Sequence, residues 1–311
     1  MSTAAAPLKI ISLLPAATEI VAALGHAGIL VGRSHECDFP AGVDTLPVCT
    51  RALIRPEGTS LEIDIAVKDA LKNALSIYQV LDDVLQVLKP DVIITQDQCE
   101  VCAVSLTDVE AAVCTVLGNN AKIVSLNPEG LDKVYEDIAR VAGALDAKPQ
   151  GDALIAAMQA GFDALRHKAQ GKPRPAVTCI EWAEPLMAAG NWVPSLVEIA
   201  GGHDVFGTAG EHAPWLEPER LYAEDPDVII FMPCGFGLER SSAEARALLG
   251  KPEWQALKAV KNGRVYATDG NSYFNRPGPR LLDSAEMMVE MLFPEDIKPE
   301  HAGDAWVRLS A

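Results

Sequence analysis

The sequence predicts an α/β protein of two doubly wound, Rossmann-like lobes joined by a long helix, and three observations carry that reading. The pentapeptide PDVII occurs twice, at Pro90–Ile94 and at Pro226–Ile230. Each half opens on a strand, a turn and a helix that stops at glycine. The stretch between the halves is helical in pattern and has no Ser/Gly linker.

Each PDVII run is short, apolar and β-branched, as a buried parallel strand is. A helical pattern precedes each copy, LDDVLQVLK in the first half and EPERLYAED in the second. A second strand follows each, KIVSL at Lys122–Leu126 and RVYAT at Arg264–Thr268. The openings correspond too: PLKIISLLPAATEIVAALG closes at Gly25, and the stretch from RPAVTCIEW closes at Gly201-Gly202. Glycine just past a helix end supplies the left-handed stop. Alternating strand and helix of this kind builds doubly wound units.

Between them, Leu154, Ile155, Met158, Phe162 and Leu165 recur at helical spacing. The expected division is a first lobe over residues 1–146, a bridging helix over 147–172 and a second lobe over 173–311. Two such lobes on a stiff connection enclose a ligand cleft and rock only over a limited range.

The chain of 311 residues has 49% hydrophobic residues, enough for two ordinary cores. Its formal net charge of −17 disfavours nucleic acid and anionic lipid as partners. No apolar run reaches the about 18 residues of a membrane span. The first basic residue is Lys9, and Pro15, Thr18 and Glu19 break the apolar stretch that follows, so no signal peptide is read. The seven scattered cysteines fit reduced thiols better than a disulfide framework. The expected location is therefore the cytoplasm, with the periplasm as the alternative if a leader has been removed. GxSxG, HExxH, P-loop and GxGxxG motifs are all lacking, and no enzyme is expected.

Ligands of open α/β sheets bind beyond the carboxyl ends of the strands. In the first lobe that rule selects Pro15, the loop containing His35 and Cys37, then Thr50, Arg51, Gln96 and Cys99. In the second it selects Trp182, Trp215, Phe236 and Arg276. Flat aromatic walls with few polar anchors suit a large planar ligand, and a guanidinium suits its acidic or amide substituents. Imidazole and thiolate bind transition metals, so His35, Cys37, Cys99 and Cys102 are candidate metal ligands. The CxxC pair admits three readings: a redox couple, half of a zinc site, or a pocket wall. Cys49, Cys114 and Cys179 read as small buried hydrophobes.

The phrases SLLPAATEIVAALG, VGRSHECDFP, LKPDVIITQ, NWVPSLVEIAGG, ERLYAEDPDVII and YFNRPGPRLL resemble the class III, helical-backbone, metal-chelate-binding proteins of ABC importers, and most closely their cobalamin-binding branch. The resemblance implies two lobes bridged by a helix, a cobalamin-type corrinoid as ligand, and binding without turnover. By motif it implies that Trp215 packs on the corrinoid and Arg276 faces the pocket. It also implies that Asp83 and Glu219 dock onto a permease, where the first acid is usually Glu and Asp83 is shorter. Alternatives in the same cleft are haem, a siderophore chelate or a bare transition metal. From another class, the alternative is a corrinoid- or metal-processing enzyme that uses Cys99 and Cys102.

Overall fold

The computed structural model describes residues 7–54, 57–73, 76–97, 105–118 and 120–310. Cys99 and Cys102 lie outside the described residues. Two compact units emerge. The first runs through Glu57 and adds Ile65–Asn127 and Lys133–Ile155; the second comprises Gly58–Asp64, Pro128–Asp132 and the chain from Ala156 onward.

In chain order the first half forms β1 (Ile10–Ser12), α1 (Pro15–Ala23), β2 (Leu30–Arg33), β3 (Thr50–Ala52) and α2 (Ser60–Lys72). It continues with β4 (Tyr78–Val80), α3 (Asp82–Leu88), β5 (Val92–Gln96), α4 (Leu106–Leu117), β6 (Lys122–Leu126) and α5 (Leu131–Ala144). The first unit's main sheet has the order β2-β1-β5-β6, with every pairing parallel. β3 and β4 form a separate antiparallel pair. Ile11, Leu13, Ile93, Leu85, Val109 and Val113 pack into one apolar cluster on this sheet.

Helix α6 (Lys148–Ala169) follows, and the division between the units falls within it, after Ile155. Its Met158, Phe162 and Leu165 are buried, as their spacing predicts.

The rest of the second unit forms β7 (Ala176–Trp182), β8 (Met187–Ala188), α7 (Val193–Ile199), β9 (His203–Asp204), α8 (Pro218–Glu224) and β10 (Val228–Phe231). Then come α9 (Leu238–Leu249), α10 (Pro252–Gln255), α11 (Lys258–Lys261), β11 (Val265–Thr268), α12 (Leu281–Leu292) and β12 (Trp306–Leu309). Its sheet has the order β12-β11-β10-β7-β8, with β9 also pairing with β7. β7, β10 and β11 are parallel, while β12 and β8 are antiparallel to their neighbours. Ile229, Phe231, Trp254, Leu248 and Val265 belong to its apolar core.

In both PDVII copies the Val-Ile-Ile residues are fully buried strand, and the lead-in is the same. Helices α3 and α8 stop at left-handed residues, Lys89 at φ 47° and Asp225 at φ 44°, and proline follows each. Proline cannot continue the helix, so the turn and the strand start are set locally. Gly25 and Gly201, at φ 82° and 86°, end α1 and α7 as expected.

One expectation about the thiols is corrected. Cys49 and Cys179 are buried, but Cys114 is exposed. Helix α4 turns Val109, Ala112 and Val113 inward, and a residue directly after Val113 is rotated about 100° off that face. No described helix is long and apolar enough to cross a membrane.

Candidate functional site

Because β1, β2, β5 and β6 are parallel, their carboxyl ends share one edge of the first unit's sheet. Pro15 lies there as the first residue of α1, where its lost N–H costs no hydrogen bond. Gln96, the last residue of β5, is buried on the same edge. The loop after β2 is wrapped around Arg33. Its guanidinium donates to the carbonyls of Ser34 at 3.0 Å, Cys37 at 3.1 Å and Asp44 at 3.0 Å.

That wrapping separates the two metal-ligand candidates of the loop. Cys37 is 1% exposed. Its sulfur accepts from the Thr18 hydroxyl at 3.0 Å, and Thr18 also contacts Ser12 Oγ at 2.8 Å. His35 is half-buried instead, with Nδ1 2.8 Å from Thr50 Oγ1. Its backbone N–H donates to the same hydroxyl at 3.1 Å, and that hydroxyl contacts Ser34 Oγ at 3.2 Å. The ring lies 5.4 Å from that of Tyr78. Burial, aided by the Arg33 charge, holds His35 below the ordinary histidine pKa. Cys49 lies behind the loop, and burial pushes its thiol up to about 12. Arg51 uses Nε and Nη2 on Gln79 Oε1, at 2.9 and 2.6 Å, across the β3–β4 pair. Among the described residues no group of three or more His, Cys, Asp and Glu side chains is arranged to hold a bare metal ion.

The carboxyl ends of β7, β10 and β11 likewise share an edge of the second unit's sheet. Trp182 ends β7 opposite Met187 of β8, and Met187 forms a bridge with Trp215. Residues directly opposed across strands point to the same face, so Trp182, Met187 and Trp215 form one strip. Trp215 is 55% exposed. Trp182 stacks obliquely on Phe236 at 5.2 Å, and Arg240 lies 3.5 Å above the Phe236 ring. Trp182 Nε1 donates to the Ser60 carbonyl at 3.2 Å. Trp192 is buried and donates to the Phe274 carbonyl at 2.7 Å, fixing the loop that carries Arg276. Arg276 is itself buried, at 4% exposure.

Asp83 and Glu219 are both exposed in the first turns of α3 and α8, the same number of residues before the left-handed caps Lys89 and Asp225. A separate cleft of about 530 Å³ in the second unit is lined by Arg166, Ser195, Glu198, His203, Asp204 and Thr208. It borders β9, which pairs with the start of β7, and so lies away from the strand ends that carry the tryptophans.

Sequence reasoning missed Tyr78, Ser34 and Arg240. Tyr78 sits in a three-residue strand far along the chain from His35, and no local pattern marks it as a neighbour.

Residues 10–271 match the sequence profile of the family described as periplasmic binding protein. An ABC transporter substrate-binding lipoprotein of Bacillus subtilis is 22% identical, covering 94% of this chain and 82% of that protein. A vitamin B12-binding protein of Vibrio cholerae is 26% identical, covering 91% of this chain and 88% of that protein. A periplasmic haem-binding protein from Pseudomonas aeruginosa has the same fold, with a TM-score of 0.72 at 17% identity over 98% of this chain and 99% of that one. These findings correct the expected location. The family is periplasmic and the Bacillus relative is a lipoprotein, which points to an extracytoplasmic protein rather than a cytoplasmic one.

Proposed function

Because the chain belongs to the periplasmic binding protein family over most of its length, and family members bind solutes without turning them over, we propose that its solute is a cobalamin-type corrinoid delivered to an ABC permease. Trp215 carries this reading. Trp192, Trp254 and Trp306 are at most 7% exposed, whereas Trp215 is 55% exposed on a strip shared with Trp182 and Met187. A large apolar side chain held open at the carboxyl ends of a parallel sheet is the expected platform for a broad, flat ligand. The vitamin B12-binding relative supports a corrinoid as that ligand. Pro15, His35, Gln96 and Phe236 are the further proposed ligand contacts. Cys37, Thr50 and Arg51 act by positioning their neighbours, and Arg276 is a proposed polar contact to the ligand. Asp83 and Glu219 are the proposed permease-docking acids.

Haem is the second reading. It is favoured by the half-buried imidazole of His35 and by the fold shared with the Pseudomonas haem-binding protein.

The test is calorimetric and visible-spectrum titration of the purified protein with hydroxocobalamin and, separately, haemin. The corrinoid reading expects saturable one-to-one binding of hydroxocobalamin. Trp215→Ala should weaken it about tenfold or more, with Tm unchanged because the side chain is exposed. Tight haemin binding with no hydroxocobalamin binding removes the corrinoid in favour of haem.

A further inference from the structure

We infer that His35 is the residue of this chain that ligates the metal centre of the bound chelate, through Nε2. The inference rests on the chelate-binding reading above and adds to it a specific atom.

Three observations on one hydroxyl and one carboxylate carry it. Thr50 Oγ1 accepts the backbone N–H of His35 at 3.1 Å and lies 3.2 Å from Ser34 Oγ and 2.8 Å from His35 Nδ1. With its one proton directed to Ser34, Thr50 accepts from Nδ1–H, and the lone pair of the imidazole is left on Nε2. Thr50 is 2% exposed, so water does not compete for this arrangement. Nε2 is 4.0 Å from Glu36 Oε1, beyond hydrogen-bond distance, and has no other hydrogen-bond partner among the described residues. A ring fixed through one nitrogen and open at the other is the arrangement in which histidine binds metals.

The electrostatics agree. Burial, and then the neighbouring Arg33 charge, lower the imidazole's pKa and so favour its neutral form, which is the ligating one. Tyr78 packs beside the ring at 5.4 Å and restricts its rotation. Cys37, the other candidate in the loop, is excluded by the same geometry, since its sulfur is turned inward to Thr18. A single protein ligand fits a metal whose remaining positions are filled by a macrocycle. On an aquo-corrinoid the step is a ligand exchange. The Co–O bond breaks, water leaves with its electron pair, and Nε2 donates the pair that forms the Co–N bond. Nδ1 keeps its proton and no electron is transferred.

The experiment uses aquocobalamin, cyanocobalamin and haemin as separate probes, read by visible spectrum and calorimetry. Wild type should shift the bands of bound aquocobalamin. His35→Ala and His35→Gln should bind it at least about tenfold more weakly and without the shift. Thr50→Val, which frees Nδ1, should weaken binding by about tenfold and diminish the shift. Cyanocobalamin, whose exchangeable position is filled by cyanide, should bind wild type and His35→Gln alike. Circular dichroism and Tm of each variant establish that it is folded.

If aquocobalamin binds wild type without a band shift, or the shift survives in folded His35→Gln, the ligation is overturned while the corrinoid reading stands. If only haemin binds and its Soret shift is lost in His35→Gln, the corrinoid reading fails and the ligation holds for iron. If none of the three probes binds, both fall.

Discussion

Asp227 Oδ2 accepts the backbone N–H of Ala176 at 2.9 Å, tying the start of β10 to the start of β7. In the first unit Asp91 Oδ2 does the same for the N–H of Lys9, at 2.8 Å, ahead of β5 and β1. The repeated Pro-Asp thus places a carboxylate that closes the first ladder position of each sheet. Of the two, Asp227 alone also pairs with a lysine among the described residues, Lys258. Replacing either aspartate by alanine should cost about 1–2 kcal/mol in urea unfolding, with the larger loss at Asp227. Asp227→Asn keeps an acceptor for Ala176 and should cost less than Asp227→Ala. Equal losses at the two alanine variants would show that the Lys258 pair contributes nothing.

The edge strand β12 is held through one buried carboxylate. Glu290 is 4% exposed and accepts from Trp306 Nε1 at 2.7 Å, Glu300 N–H at 2.8 Å, His301 N–H at 3.3 Å and His301 Nδ1 at 2.8 Å. Glu290→Ala should cost about 3–5 kcal/mol, because the buried Trp306 N–H and the part-buried donors of Glu300 and His301 lose their acceptor. Burial raises the carboxyl pKa, but the bonds from Glu300, His301 and Trp306 outweigh it and leave the group below the usual range. A depressed folded pKa stabilises above the unfolded value, and that stability is lost as pH falls through the folded one. Between pH 7 and pH 3 wild type should lose more stability than Glu290→Gln. Parallel pH profiles would disprove the assignment.

Asp204 titrates with the opposite sign. Burial pushes its carboxyl up to about 6, although Oδ1 accepts the N–H groups of Gly207 at 2.7 Å and Phe206 at 3.0 Å. Oδ2 is buried with no partner among the described residues. A raised folded pKa stabilises below the unfolded carboxylate value of about 3.9, and that contribution is lost as pH rises through about 6. Asp204→Asn retains the Oδ1 acceptor. It should gain up to about 2 kcal/mol over wild type at pH 8 and nothing at pH 4. A gain that is the same at both pH values would mean that titration is not its source.

Close packing under the His35 loop is testable at Gly32. A Cβ there would lie 2.6 Å from Cys49 Sγ and 2.9 Å from Leu88 Cδ1. Gly32→Ala should cost about 1–3 kcal/mol by overpacking. Cys49→Ala in the same chain should recover part of that loss, because the nearest atom is gone. No recovery would place the strain at Leu88 instead.

The repeated PDVII strands, the helix stops before them, the glycine ends of α1 and α7, and the helix over Met158–Leu165 were all legible in the residues. Each depends on local chemistry: β-branched runs, proline after a left-handed cap, and apolar spacing at the helical period. The carboxyl-end rule then selected Pro15, His35, Gln96, Trp182 and Trp215. What the sequence could not separate was the behaviour of like residues. Cys37 and His35 share one loop, yet the thiol is buried against Thr18 while the imidazole is half-buried with Nδ1 on Thr50. Trp192 is a core residue tied to Phe274, whereas Trp215 is exposed opposite Met187. Cys114, though on a helix with an apolar face, is turned outward. Sequence alone determined the elements and the edges of the sheets, because periodicity and turn chemistry act over a few residues. Only the tertiary structure decided which side chain of each pair is exposed, because exposure is set by strands and loops brought together from distant parts of the chain.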